Sequence, residues 1–317
     1  MIYLYMGKGG VGKTTCAAAH AVSLADSGRK TLVVSLDPAH NLGDVLDVEL
    51  GDEPRKVAQN LWAMEPDFEK VISKYLRELT ERVKDVYGYL KIFNLDNYVD
   101  TLRYSPGVEE DAVLRKIMEI LKMKDYEEIV LDTPPTGLTV RMLVLPSVSL
   151  TWIEKLMELR LRLLGARRAL EKLSGEKLVI RRGETEISVP TDPEDDPIFK
   201  ELEALRKEIS WVQGILTDGG RTSVSMVVNP DVLSVREASR AIGVLRKVGI
   251  PMRRLIVNKY LRLSETPSEL EETVREQEEA LGLAKKELGF LETVVVPLFP
   301  REPRGFEALR EVARFLA

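Results

Sequence analysis

Near its start the chain runs from a short apolar stretch, Ile2 to Met6, directly into GKGGVGKTT at residues 7–15. The spacing fits G-x-x-x-x-G-K-[ST], a loop whose backbone N–H groups curl around phosphate oxygens. Gly7, Gly9, Gly10 and Gly12 remove the Cβ atoms that would obstruct the curl, and the following helix turns its positive end toward the same anion. Lys13 is placed to reach the β- and γ-phosphates, and the Thr14 hydroxyl to ligate Mg2+. A glycine-rich turn that binds nothing is the competing reading, disfavoured by the strand before and the helix after. The motif leaves Lys8 unexplained: it is a second lysine in a position the pattern does not specify.

Around that loop the sequence predicts a βαβ unit: a strand at 2–6, a helix at 13–27 ending at Gly28, and a second strand at 31–36. Further strands are expected at 128–132, 224–228, 254–258 and 292–297, with helices at 234–248 and 268–288 between the last three. The fold class is α/β, a P-loop NTPase with a doubly wound, mostly parallel sheet, helices on both faces and an inserted helical subdomain. One ATPase domain is expected over 1–317, its core at about 1–64, 126–147 and 218–317 and its subdomain from insertions at about 65–125 and 148–217. The second insertion holds a helical run, a hairpin turning near Gly183, the acidic PTDPEDDP and a further helix.

Composition narrows the function classes. With 44% apolar and 31% charged residues the chain has the balance of a globular protein with a sizeable core, and its many charges and three glutamines resemble heat-adapted proteins. A net charge of -5 argues against general nucleic-acid binding. The single cysteine, Cys16, excludes an internal disulfide and a multi-cysteine zinc site, and reads as a packing residue. No signal-peptide pattern is present, and no apolar run approaches the roughly 20 residues that span a bilayer, so a cytoplasmic protein is expected.

Four other segments carry chemistry. In SLDPAHNLGDVL, 35–46, Asp37 ends the second strand, where ligands of doubly wound sheets sit; it can orient or deprotonate the water attacking a γ-phosphate. Helix capping is the alternative there and the expected role of Asn41, while His40 serves either phosphate, a partner or the loop itself. In IVLDTPPTGLTVR, Asp132 holds the position of a carboxylate acting on Mg2+ directly or through water; residues 133–137 form a stiff turn, with Thr139 as a helix cap. Asn258 and the segment from 296, with Pro297, Leu298 and Pro300, are left to contact a base, although Asn258 also suits an ordinary strand-end turn. Finally Leu150, Ile153, Met157, Leu161 and Leu164 share one helical stripe, widened by Leu156, Leu163 and Leu170, either a groove for an apolar client helix or packing within the protein's own domain. The charged stretch 260–288 reads as a solvated surface helix.

GKGGVGKTT, with its early lysine, resembles the deviant phosphate loop of the signal-recognition, MinD and BioD-like class. Within that class DPAHNLGD at 37–44, PG-x-E at 106–109, DTPPTG-x-T-x-R at 132–141 and P-L-x-P-R-E-x-R-G at 297–305 resemble the arsenical-pump-driving ATPases. That family includes ATPases that target tail-anchored membrane proteins. The resemblance implies that Gly7, Lys8, Gly9, Gly10, Val11, Gly12, Lys13, Thr14 and Thr15 hold the phosphates, with Thr14 on Mg2+ and Asp132 supporting it. It implies that Lys8 reaches across a homodimer to the partner's nucleotide, that Asp37 positions the hydrolytic water, and that Asn258 with 297–304 cradles adenine. Leu138 stands where the family often has histidine, and the paired cysteines that bind zinc or metalloids are absent.

The expected function is therefore Mg2+-dependent ATP hydrolysis by a nucleotide-switched homodimer that captures hydrophobic tail-anchored segments or engages a membrane-associated receptor or transporter, in the cytoplasm and transiently at membranes. An ATPase driving anion or metalloid efflux, and a MinD/ParA-like spatial regulator, are the alternatives.

Overall fold

The computed structural model describes residues 1–38, 41–87, 105–175, 179–182, 185–188, 190–263 and 267–316, so His40 and Gly183 lie outside the described residues. Its main sheet has eight strands. In chain order they are β1 (Ile2–Gly7), β2 (Thr31–Ser35), β3 (Arg55–Ala58), β4 (Leu61–Met64), β5 (Glu128–Asp132), β8 (Thr222–Val228), β9 (Met252–Tyr260) and β10 (Glu292–Pro297). Across the sheet the order is β10-β9-β8-β1-β5-β2-β4-β3, all parallel except the β3–β4 pair. Strands β2, β5 and β8 are buried along their whole length, which is why they read as unbroken apolar or small-residue runs. Central strand β1, between β5 and β8, ends at the phosphate loop, so the carboxyl ends of β2, β5, β8 and β9 share one edge with it.

Helices cover the sheet. Helix α1 (Lys13–Asp26) presents Cys16, Ala17, Ala18, Ala19 and Ala21, all fully buried, and their small size lets the helix sit close to the strands. The last helix, α9 (Gly305–Leu316), packs on α1 and joins the same core through Leu309, Val312, Ala313 and Leu316. Also described are α2 (Leu42–Leu46), α3 (Phe68–Tyr87), α4 (Val108–Leu121), α7 (Val232–Lys247, capped by Asp231) and α8 (Glu271–Leu288). Beneath α1, Tyr5 and His20 share a 2.8 Å hydrogen bond between the phenol oxygen and Nδ1; burial pushes the His20 pKa down to about 4, so the ring is neutral.

Two features depart from expectation. Strands β3 and β4 form a hairpin that the sequence hid, since each is only four residues long; the signal was Asn60, whose left-handed φ of 58° makes the turn. Pro146 does not end a helix: α5 runs unbroken from Thr136 to Ser174, so Thr139 lies inside it rather than capping it.

Contacts divide the chain into one unit of Met1–Val144 with Ile215–Ala317 and a second of Leu145–Gly214. The boundary falls beside Pro146, where the helix interior lacks an N–H donor. Helices α3 and α4, expected to belong with 148–217, group instead with the sheet and pack on each other through Ile72, Leu76, Val108 and Ala112. The second unit contains the rest of α5, the hairpin β6–β7 (Val179–Arg182, Thr185–Ser188) and most of α6 (Pro197–Thr217). Its core joins Ile153 and Met157 of α5 to Ile209, Phe199, Leu202 and Leu205 of α6. One window of α5 reaches a mean hydropathy of 1.3, high enough for a membrane span by length and composition. The first turns of that helix bury Thr139, Met142 and Leu143 in the sheet-bearing unit.

A buried ion pair fixes the second unit. Fully buried Asp196 accepts two bonds from Arg160 (3.0 and 2.5 Å) and one from the Phe199 N–H at the start of α6 (2.7 Å). Burial alone would raise its pKa, but these donors outweigh it and hold the carboxyl below its usual range. Asp196→Ala leaves the guanidinium without its buried counter-charge, and urea unfolding should show a loss of about 3 kcal/mol. Glu158→Ala, which breaks only exposed pairs with Lys155 and Arg162, should change stability by less than about 0.5 kcal/mol.

Candidate functional site

The phosphate loop follows β1 and closes at Gly12, the residue before α1. Gly10 and Gly12 have φ of 78° and 90°, with Val11 at negative φ between them, the alternation that aims successive N–H groups at an anion. A side chain at Gly7 would strike the Val227 carbonyl of β8, and one at Gly12 would strike the Asn258 amide.

Lys13 is 4% exposed, and its ammonium lies 3.2 Å from Asp37 Oδ2. A buried ammonium needs an opposing charge, and Asp37, itself buried at the end of β2, supplies it. The structure thus brings together the two residues that the sequence assigned to phosphate and water. An arriving phosphate would compete for Lys13 and loosen its hold on Asp37.

Deeper in the site Asp132 is fully buried. Its Oδ2 accepts hydroxyl bonds from Thr14 (2.7 Å) and Ser35 (3.1 Å), joining the carboxyl ends of β5 and β2 to the start of α1. Burial, the dominant influence, pushes its pKa up to about 7, against the hydroxyl donors and Lys13, which lower it. Its Oδ1 is buried with no protein partner. A buried carboxylate oxygen without a donor, beside a threonine hydroxyl, is a donor set suited to Mg2+, which prefers oxygen ligands and retains waters.

The turn after β5 is tied to β1. Thr133 donates to the Tyr5 carbonyl (2.9 Å), and Thr139 donates to the Pro134 carbonyl (2.6 Å), 3.0 Å from Thr133 Oγ1. On α5, Arg141 donates to Glu110, which is buried near the start of α4; burial raises the pKa of that carboxyl, but bonds from Arg141 and the backbone outweigh it and leave it lowered.

At the base side Asn258 ends the buried part of β9, and its Nδ2 donates to the Val11 carbonyl (2.8 Å), engaging one of its two amide hydrogens. The next residue, Lys259, donates to the Gly10 carbonyl (2.7 Å). Pro297 pairs in register with Tyr260, and the Leu298 N–H donates to the Tyr260 carbonyl (2.9 Å), so 297–300 runs alongside the end of β9. Lys8 differs from the others. Its side chain is 63% exposed, and its nearest charge partner is Glu237 of α7 at 3.9 Å. Gly9 is exposed and Thr15 half-buried. Ser35, Glu110, Glu237 and Lys259 were not singled out from sequence; Lys259 had a signal, its place directly after Asn258.

Asp132→Asn removes the buried charge and the proposed metal support together. The ligand-free variant should melt no lower than wild type, because a neutral amide is less costly to bury than a carboxylate. Titration calorimetry should show that Mg2+ strengthens ADP binding at least about tenfold less than it does in wild type, since the outer support of a metal contributes on that order.

Comparison with known proteins agrees with this geometry. The family model described as Anion-transporting ATPase matches residues 1–317. The chain is 33% identical to ATPase GET3C of Arabidopsis thaliana, across 97% of this chain and 80% of that protein. It is 32% identical to a putative arsenical pump-driving ATPase of Chlorobaculum tepidum, across 98% of this chain and 74% of that one. Putative arsenical pump-driving ATPase 2 of Aquifex aeolicus is 28% identical, with 99% and 98% covered. Matched from end to end, with the loop lysine, Asp37 and Asp132 converging at one sheet edge, the chain belongs to the anion-transporting ATPase family and hydrolyses ATP.

Proposed function

We propose that this ATPase is Mg2+-dependent, works as a nucleotide-switched homodimer, and captures hydrophobic membrane-protein segments for a membrane-associated receptor, in the cytoplasm and transiently at membranes. The observation that carries the client role is a stripe on α5. Val148, Trp152, Leu156, Leu159, Leu163 and Leu170 are all between 46% and 66% exposed. At 3.6 residues per turn they fall within an arc of about 80°. Apolar residues scattered singly on a surface mean little, but a contiguous row of six marks a binding face. The expected stripe thus divides: its widening members Leu156, Leu163 and Leu170 lie on this face, whereas Ile153, Met157 and Leu164 are buried and Leu150 is half-buried, with Leu161 alone of the first five exposed. The buried members are packing within the second unit, and the client face lies on the opposite shoulder of the helix.

The contacts support a role for each site residue. Lys13, buried against Asp37, holds the β- and γ-phosphates once they draw its charge. Asp37 then orients the attacking water and accepts its proton. Thr14, with Asp132 in support, would hold Mg2+, which would supply charge neutralisation at the phosphates. Lys8, exposed and held only by a long pair with Glu237, is the cation this chain offers to a facing subunit. Asn258 and 297–300 cradle adenine.

A transporter-coupled role has the arsenical pump-driving names of relatives in its favour. Against metalloid binding, Cys16 is fully buried, and burial pushes its thiol pKa up to about 12. A membrane-seeking tail of the spatial-regulator type is disfavoured because the apolar side of α9 is committed to the core.

Two variants test the proposal. Asp37→Asn should bind ADP within about threefold of wild type and lose turnover by about 100-fold or more, as expected on removing a group that manages the water proton. Leu156→Glu with Leu163→Glu should keep the wild-type melting temperature and ATPase rate and lose capture of a 20-residue Leu-rich tail-anchor peptide. Undiminished capture by that double variant would contradict the client face.

A further inference from the structure

Among the described residues three non-glycine positions have a left-handed backbone: Asp47, Asn60 and Lys259. The first two have ordinary explanations. Asp47 closes α2 and Asn60 makes the β3–β4 turn, and short polar side chains of this kind tolerate that conformation. Lysine has no such tolerance, yet Lys259 sits at φ 59° on β9, directly after the buried Asn258. A disfavoured backbone conformation persists where the surroundings require it, and it clusters at functional sites. What the conformation achieves is visible in the contacts. It lets two consecutive side chains reach the same loop, Asn258 donating to the Val11 carbonyl and Lys259 to the Gly10 carbonyl.

These two carbonyls belong to particular peptide groups. The Gly10 carbonyl shares its peptide with the Val11 N–H, and the Val11 carbonyl shares its peptide with the Gly12 N–H. Both N–H groups lie in the stretch where Gly10 and Gly12 have positive φ, the stretch that cradles an anion. A donor on the outer face of a peptide polarises it and strengthens the N–H on the inner face. It also fixes the orientation of that peptide before any ligand arrives. The ammonium does this more strongly than an amide, because its bond is charge-assisted, and it adds a positive charge behind the loop.

We propose that Lys259 is a positioning residue for the polyphosphate of the bound nucleotide. It acts through the loop rather than by touching the phosphates, using a strained strand-end backbone to clamp the Gly10 carbonyl so that the Val11 N–H is oriented and strengthened. Together with Asn258 it makes the phosphate loop an extension of β9 as well as of β1. The inference rests on nucleotide binding at this loop and adds a residue that the phosphate-loop motif does not contain.

The test separates the clamp from the backbone strain. Lys259→Gly removes both, Lys259→Met keeps the stem and loses the donor, and Lys259→Arg keeps a charged donor. Melting of the ligand-free proteins and calorimetric titration with ADP, without turnover, provide the readouts. Lys259→Gly should melt at or above the wild-type temperature, because the left-handed backbone no longer carries a Cβ. It should nevertheless bind ADP about tenfold more weakly, the effect expected for losing one charge-assisted hydrogen bond. Lys259→Met should show the same loss of affinity, and Lys259→Arg should recover at least half of it on a logarithmic scale. If Lys259→Gly and Lys259→Met both bind ADP within twofold of wild type, Lys259 is a solvated strand-end residue and the proposal falls. It falls equally if Lys259→Arg binds as weakly as Lys259→Met. Should wild type itself fail to bind ADP, it is nucleotide binding at the loop, the premise of the clamp, that has failed.

Discussion

Everything at this site is arranged around one buried carboxylate. Asp132 takes a hydroxyl bond from Thr14 at the start of α1 and another from Ser35 at the end of β2, while its own strand lies between them. Removing a carboxylate from water is expensive, and here two donors serve one oxygen while the other has none. That imbalance makes sense in a site built for a ligand that brings its own positive charge. The Thr14 bond joins the start of α1 to this carboxylate, alongside the Lys13–Asp37 pair and the Thr133 bond to Tyr5 that also tie these elements together.

An ion pair completes the site. Lys13 and Asp37 neutralise each other across 3.2 Å in a buried setting, so each group is held by the other until phosphate arrives. The motif lysine and the carboxylate proposed to position water are thus coupled electrostatically before any nucleotide binds. The turn beyond Asp132 is pinned through Thr133 and Thr139, and the helix it opens, α5, also carries the exposed apolar stripe. One continuous helix therefore begins at that turn and carries the face proposed for a client.

Much of this was legible in the sequence because it rests on local rules. The glycine spacing, the aspartates ending apolar runs and the alternation of strands and helices along the chain all follow from steric freedom, burial and periodicity acting over a few residues. What escaped depended on tertiary context. The insertion boundary expected at about 147 falls inside one continuous helix, α5. The period that marked 150–164 as amphipathic marks an inward face as readily as an outward one, and only the packing of Ile153 and Met157 on α6 tells them apart. Lys259 looked like any surface lysine until its backbone angle and its bond to Gly10 were seen together. Strands β3 and β4 were too short for any alternation to show.

Within one chain Lys13, Asp37, Thr14 and Asp132 converge, whereas Lys8 points outward with most of its side chain exposed. On the proposed mechanism one chain binds the nucleotide and two chains hydrolyse it. The most direct measurement is ATPase turnover per chain across a wide range of protein concentration, with molar mass followed by light scattering in the same samples. Turnover per chain should rise with concentration in step with the dimer fraction, and Lys8→Ala should abolish most of it even where dimer is present. Constant turnover per chain in samples that remain monomeric would contradict the account.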